Sequence, residues 1–129
     1  MPQYMLLIYS DPATAPPPEQ AQAEMPKWFA YSEELSKAGA MLGGDGLQPV
    51  ATATTIRVRD DERMLTDGPY AETKEQLGGY YLLECKDLDD ALNWAAQIPE
   101  ARTGAIEVRP VMDYEAIQSA PNGAEAAAS

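Results

Sequence analysis

Two stretches of the chain carry large apolar side chains on both faces of an extended backbone, and they dictate how the remainder must be arranged. In Gln3–Tyr9, side chains alternate with a period of two, so Tyr4, Leu6 and Ile8 point one way and Met5, Leu7 and Tyr9 the other. Gly79–Cys85 repeats the pattern with Tyr80 and Leu82 against Tyr81 and Leu83. Strands of this kind need cover above and below and belong in the middle of a sheet. Thr54–Arg59 is one-sided, with Thr54, Ile56 and Val58 opposed to Thr55, Arg57 and Arg59. With a turn at Asp60-Asp61-Glu62 and a return over Arg63–Thr66, it predicts a β-hairpin. Ala105–Val111 predicts a last strand, with Ile106 and Val108 facing away from Glu107 and Arg109.

Between these strands the period changes from two to about 3.6. Ser10–Pro18 contains four prolines and reads as a loop. From about residue 19 to 38, Trp28, Tyr31, Leu35, Ala38 and Leu42 make a helical stripe that Phe29 widens. Pro26 predicts a kink or a start delayed to about Met25, and Gly39 a stop. Met41–Leu47 is a short strand running into a glycine-rich turn. Asp67-Gly68-Pro69 turns the chain into a polar connection, Tyr70–Leu77. Asp87 caps a helix that reaches Ile98, with Asp90 placed as in a capping box, Leu88, Ala91, Leu92, Ala95 and Ile98 as its stripe, and Pro99 as its end.

Setting the hairpin aside, the order is β-α-β-β-α-β, the ferredoxin-like split βαβ arrangement of an α+β domain. Two helices cover one face of such a sheet. The other face would leave an apolar patch too large for an ordinary monomer, which predicts a two-fold homodimer packed face to face as an α/β barrel. The domain spans residues 1–115, and the alanine-rich stretch 116–129 reads as a disordered tail.

Charge narrows the partners. Nine basic and twenty-one acidic residues give a net charge of −12, which argues against nucleic acid and against an anionic membrane surface. No apolar run approaches the roughly 20 residues of a membrane span, and no leader pattern opens the chain, so the expected location is cytoplasmic. A single cysteine, Cys85, and the absence of histidine predict neither disulfide nor metal site, and no cofactor motif is present.

Candidate chemistry falls into three groups, each with a structural alternative. Asp67 and Glu72, beside Lys74 and Glu75, place carboxylates next to an ammonium as acid–base work requires; the same residues make a good turn and a solvated connector. Asp45, in Gly43-Gly44-Asp45-Gly46, is an acid or base at a pocket mouth, or a residue capping a tight turn. Arg57 and Arg109 suit a bidentate hold on a carboxylate or phenolate, or cross-strand pairing. Trp28 and Tyr81 are ring walls for an aromatic ligand, or simply core.

The run from Asp67-Gly68-Pro69-Tyr70 through Glu72-Thr73-Lys74-Glu75-Gln76-Leu77-Gly78-Gly79 to Glu84 closely resembles the signature of the DGPF proteins, a branch of the YCII-related family. Gly43-Gly44-Asp45-Gly46-Leu47-Gln48-Pro49 and Val108-Arg109-Pro110 extend the resemblance over roughly Tyr4 to Val111. It implies a dimeric α/β barrel. Some YCII relatives act as small-molecule lyases or isomerases through a His–Asp pair, and DGPF genes accompany those of extracytoplasmic-function sigma factors. Two functions therefore stand side by side: a small-molecule binder with metal-free acid–base chemistry, or a non-catalytic accessory protein of a sigma-factor system. Two departures bear on the choice. Tyr70 replaces the motif's Phe, and Trp28 occupies the position aligned with the relatives' histidine, so their mechanism does not carry over.

Overall fold

The computed structural model describes residues 1–119, and it is a mixed α+β fold built on antiparallel sheets. Its strands are β1 (Gln3–Ser10), β2 (Met41–Gly46), β3 (Thr54–Arg59), β4 (Glu62–Asp67), β5 (Gln76–Glu84) and β6 (Ala105–Pro110). Its helices are α1 (Pro18–Lys37), α2 (Leu88–Ala96) and the short α3 (Tyr114–Ser119). The main sheet runs in the order β2-β5-β1-β6, so the two strands apolar on both faces are its centre. With β3 and β4 set apart as a separate two-stranded sheet, this is the split βαβ order. A single chain makes no closed barrel: the four-stranded sheet is open, and β2 and β6 are its edges.

Register assigns each side chain to a face. Across the sheet, Tyr4, Leu6 and Ile8 lie opposite Leu83, Tyr81 and Gly79, and opposite Pro110, Val108 and Ile106. This face meets Tyr31 and Leu35 of α1 and Ala91 and Ala95 of α2 in one buried core, closed by Ala40, Cys85 and Ile98. The alanines of α2 let its backbone come close to the sheet. The other face carries Met5, Leu7, Tyr80 and Leu82, which remain partly exposed. Neither α1 nor α2 covers it, since both pack on the opposite side.

Local chemistry sets the helix ends. The N–H of Ala40 donates to Leu35 O and that of Gly39 to Ser36 O, both at 3.0 Å, the paired bonds of a Schellman stop. They require the left-handed φ of 71° that Gly39 adopts. At α2, the Asp87 carboxylate accepts from the Asp90 N–H at 2.9 Å, while Asp90 accepts from the Lys86 N–H at 3.3 Å. The capping arrangement is thus reciprocal, shifted one residue upstream on the return bond.

Several elements depart from the sequence-based expectation. α1 begins at Pro18 and runs through Pro26. The last of the three prolines takes the first helical position, where a missing N–H costs nothing. Gln22, whose carbonyl loses its partner to the Pro26 ring, is exposed and open to water. The loop before it holds a 3-10 turn, Pro12–Thr14, capped by Asp11. Both helical stripes are narrower than the pattern suggests: Phe29, Ala38, Leu42, Leu88 and Leu92 are exposed. Ala38 lies beyond the last turn of α1, and the Gly39 reversal buries Ala40 in its place. Residues 116–119, assigned to the tail, are the last four of the six residues of α3; residues 120–129 lie outside the described part.

Tyr31 joins the layers. Its ring packs edge-on against Tyr81 at 5.2 Å and Trp94 at 6.2 Å between centroids, and its hydroxyl donates to Trp94 O at 2.8 Å. Burial pushes its ionisation well above the ordinary tyrosine value of 10.0, with Tyr81 and Cys85 adding to the effect. The folded state therefore holds this proton more tightly than the unfolded chain does. The stability so conferred is whole below pH 10 and falls as pH rises past it. Urea titrations between pH 8 and 11.5 should show a decline steepening above pH 10. Tyr31→Phe should flatten that decline and lower stability at pH 8 by about 1 kcal/mol.

Candidate functional site

A cleft opens between the middle of α1 and the sheet, and the absence of side chains makes it. β2 pairs with β5 so that Gly44 lies opposite Tyr81 and Gly46 opposite Gly79. Gly79 in turn faces Ile8 of β1. In the row Ile8–Gly79–Gly46, two of the three positions facing the helix layer are therefore bare. The hollow measures about 450 Å³, and Met25, Trp28 and Phe29 of α1 overhang it.

Gly44 is needed here for close approach. A Cβ on it would come within 2.7 Å of Tyr80 O and 3.0 Å of the Tyr81 ring. Without one, the Tyr81 ring lies across β2 and forms the wall of the cleft nearest the core. The hydroxyls of Tyr81 and Ser32 are hydrogen-bonded at 3.0 Å, tying the sheet to α1. A Cβ on Gly46, by contrast, would meet nothing within 4 Å.

The rest of the lining is apolar or acidic. Ile8 and Met41 add aliphatic and thioether surface, Ser10 a hydroxyl, and Glu100 a carboxylate. Among the described residues no lysine or arginine borders the cleft. Asp45 lies opposite Tyr80, on the other side of the pleat from Gly44 and Tyr81, so it meets the cleft at the edge of β2 while its exposed carboxylate belongs to the uncovered face. Cys85, fully buried behind the core, has its thiol pushed up by burial first and by Asp90 and Asp87 after it.

Three residues singled out from the sequence, Trp28, Asp45 and Tyr81, thus meet around one cavity. The other four lie elsewhere. Asp67 ends β4 opposite Thr54 and is exposed, as is Glu72 in the connection to β5. Arg57 sits on the hairpin with its guanidinium 5.3 Å from the centre of the Tyr70 ring. Arg109 is on β6 opposite Met5, on the uncovered face, with Nε 3.8 Å from a Glu107 oxygen. Among the described residues no cluster of His, Cys, Asp or Glu suits a metal ion.

The signature loop is organised from within. The Gln76 amide donates to Ala71 O at 2.8 Å and Thr73 O at 2.7 Å, and the Thr73 hydroxyl donates to Glu75 O. Gly46 entered the sequence reading only as part of the glycine-rich turn, and Gly79, Met25 and Ser32 were not singled out as site residues. The signal of the two glycines, matching positions on two strands, becomes visible only once the pairing of β2 with β5 is known.

The YCII-related domain model matches residues 2–115. A protein of Rhizobium meliloti (strain 1021), itself described as uncharacterized, is 37% identical over 116 residues, covering 87% of this chain and 94% of that protein. No helix among the described residues is long and apolar enough to cross a membrane.

The glycines make different predictions. Gly44→Ala should lower stability by about 1–3 kcal/mol, because its Cβ meets backbone that cannot yield. Gly46→Ala should stay within about 0.5 kcal/mol of wild type. Chemical denaturation of the two variants measures both.

Proposed function

Because this chain belongs to the YCII-related domain family, we propose that it binds a small, flat aromatic molecule, neutral or cationic, in the cleft between α1 and the sheet. The observation that carries this reading is the bare Gly79–Gly46 row beneath Trp28 and Phe29, where Gly79 lets β2 approach closely and the space around Gly46 is left open. Its volume of about 450 Å³ suits a small ligand. Aromatic walls favour a planar guest through ring contacts. Glu100, with no basic residue beside it on the lining, disfavours an anionic one, and the net charge of −12 adds to this. The sequence-based idea of arginines gripping a carboxylate is accordingly set aside for this cleft.

Turnover, where it occurs, is proton transfer. Glu100, the carboxylate residue on the lining, is then the group that accepts or returns the proton, and Tyr81, already paired with Ser32, orients a ligand oxygen or nitrogen. The signature from Asp67 to Glu84 supports membership of the DGPF branch. A non-catalytic accessory role would need no hollow beneath α1, and the hollow is what favours ligand binding. The partly exposed Met5, Leu7, Tyr80 and Leu82 support a homodimer in which these faces meet.

Indole, tryptamine and indole-3-acetate share a ring system and differ in charge. In thermal-shift titrations the first two should raise the melting temperature and the third should not. Gly46→Leu, which fills the hollow, should weaken binding at least tenfold. Preferential binding of the anion would reverse the charge assignment, and full affinity in the Gly46 variant would remove the ligand from the cleft. Separately, light scattering at micromolar concentration should give the mass of two chains, and Leu82→Glu, which puts a charge in the middle of the uncovered face, the mass of one.

A further inference from the structure

We infer that the β3–β4 hairpin is an arm that lies on the second copy of the chain and helps to hold the dimer. This rests on the homodimer reading and names a segment that reading does not use. The hairpin is fully formed, with six cross-strand pairs from Thr54↔Asp67 to Arg59↔Glu62. Yet it belongs to neither face of the main sheet, and its own side chains stand largely in solvent. On one of its faces Ile56, Val58 and Leu65 are 51%, 56% and 64% exposed. A two-stranded hairpin alone in water is marginal at best, so a well-registered one with an apolar face calls for cover.

Two features select the second copy as that cover. The first is position. The base of the hairpin, at Ala53, Pro69 and Tyr70, borders the same cavity as Tyr9 and Leu77. These lie opposite each other in the row that continues Met5 and Leu7 along the uncovered face. The arm therefore springs from the side of the sheet where the second copy is expected. The second feature is charge. The hairpin holds Arg57, Arg59 and Arg63, a third of the chain's nine basic residues, and none forms an ion pair among the described residues. Arg63 shares the face of Ile56, Val58 and Leu65. The uncovered face offers a matching pattern: an apolar middle of Met5, Leu7, Tyr80 and Leu82, bordered by Asp45 and Glu84 and, on β6, by Glu107 with Arg109 beside it. An apolar strip ending in an arginine fits an apolar surface edged with carboxylates. A two-fold axis uses each arm once in each direction.

The double variant Val58→Glu with Leu65→Glu alters exposed positions only, and circular dichroism checks that it stays folded. By sedimentation-equilibrium measurements of mass across a dilution series, its dimer dissociation constant should rise at least a hundredfold over wild type. In wild type itself, β3 and β4 amides should exchange with deuterium more slowly in concentrated than in dilute solution. An unchanged dissociation constant in the double variant, with exchange independent of concentration, overturns the arm. If Leu82→Glu is then monomeric, the face-to-face dimer survives without it. A wild-type chain that is monomeric at 50 μM, about the range where a specific dimer would be filled, overturns both.

Discussion

A sheet whose two central strands are apolar above and below, in a chain that lays its two long helices on one side, constrains everything else in this molecule. Leu6, Tyr81 and Leu83 are removed from water by Tyr31, Leu35, Ala91 and Ala95. Their strand neighbours Met5, Leu7, Tyr80 and Leu82 receive no such cover from the same helices. The two faces therefore have different tasks. The covered face is where a cavity can be shaped inside one chain; the uncovered face is where another surface is required.

On the covered face, the division of labour follows the length of α1. Its C-terminal half contributes the buried Tyr31 and Leu35 and anchors the helix. Its middle, at Met25, Trp28 and Phe29, passes over Gly46 and Gly79, where the sheet offers it no side chains to pack on. Tyr31 and Tyr81 stand at the junction, in edge-to-face contact. Tyr31 is sealed among aromatic rings, while Tyr81 reaches the boundary of the cleft and shares a hydrogen bond with Ser32. The cleft and the core are thus adjacent and share Ile8 and Tyr81. The cleft can be filled at Gly46 without touching the core, whereas a change at Gly44 disturbs both.

The strand faces, the Gly39 stop, the Asp87 cap and the split βαβ order were legible in the sequence because each depends on neighbours close in the chain. What was not legible depends on pairing across it. Gly46 and Gly79 are unremarkable as single glycines and acquire meaning only as register partners. Arg57 and Arg109 look alike as strand arginines, yet one stacks on Tyr70 in the hairpin and the other sits beside Glu107 at the sheet edge. Apolar periodicity overstated both helical stripes, since Leu88 and Leu92 follow the spacing while the alanines on the same helix are what the sheet admits. Pro26 misled in the opposite direction, because a proline is costly only where its orphaned carbonyl is kept from water.

The chemistry of the site turns on what replaces a histidine. The resemblance to YCII relatives aligns Trp28 with their imidazole, and an indole neither accepts nor donates a ring proton near neutral pH. What it supplies is area: a broad apolar plate on α1, facing a floor stripped of side chains. A base at that position would act on a ligand held by other groups, whereas a plate does the holding. Under the proposed binding reading, a proton-transfer step falls to Glu100 on the lining. Trp28 above and the two bare positions Gly46 and Gly79 below then shape a surface that holds a guest and leaves the reaction to other groups.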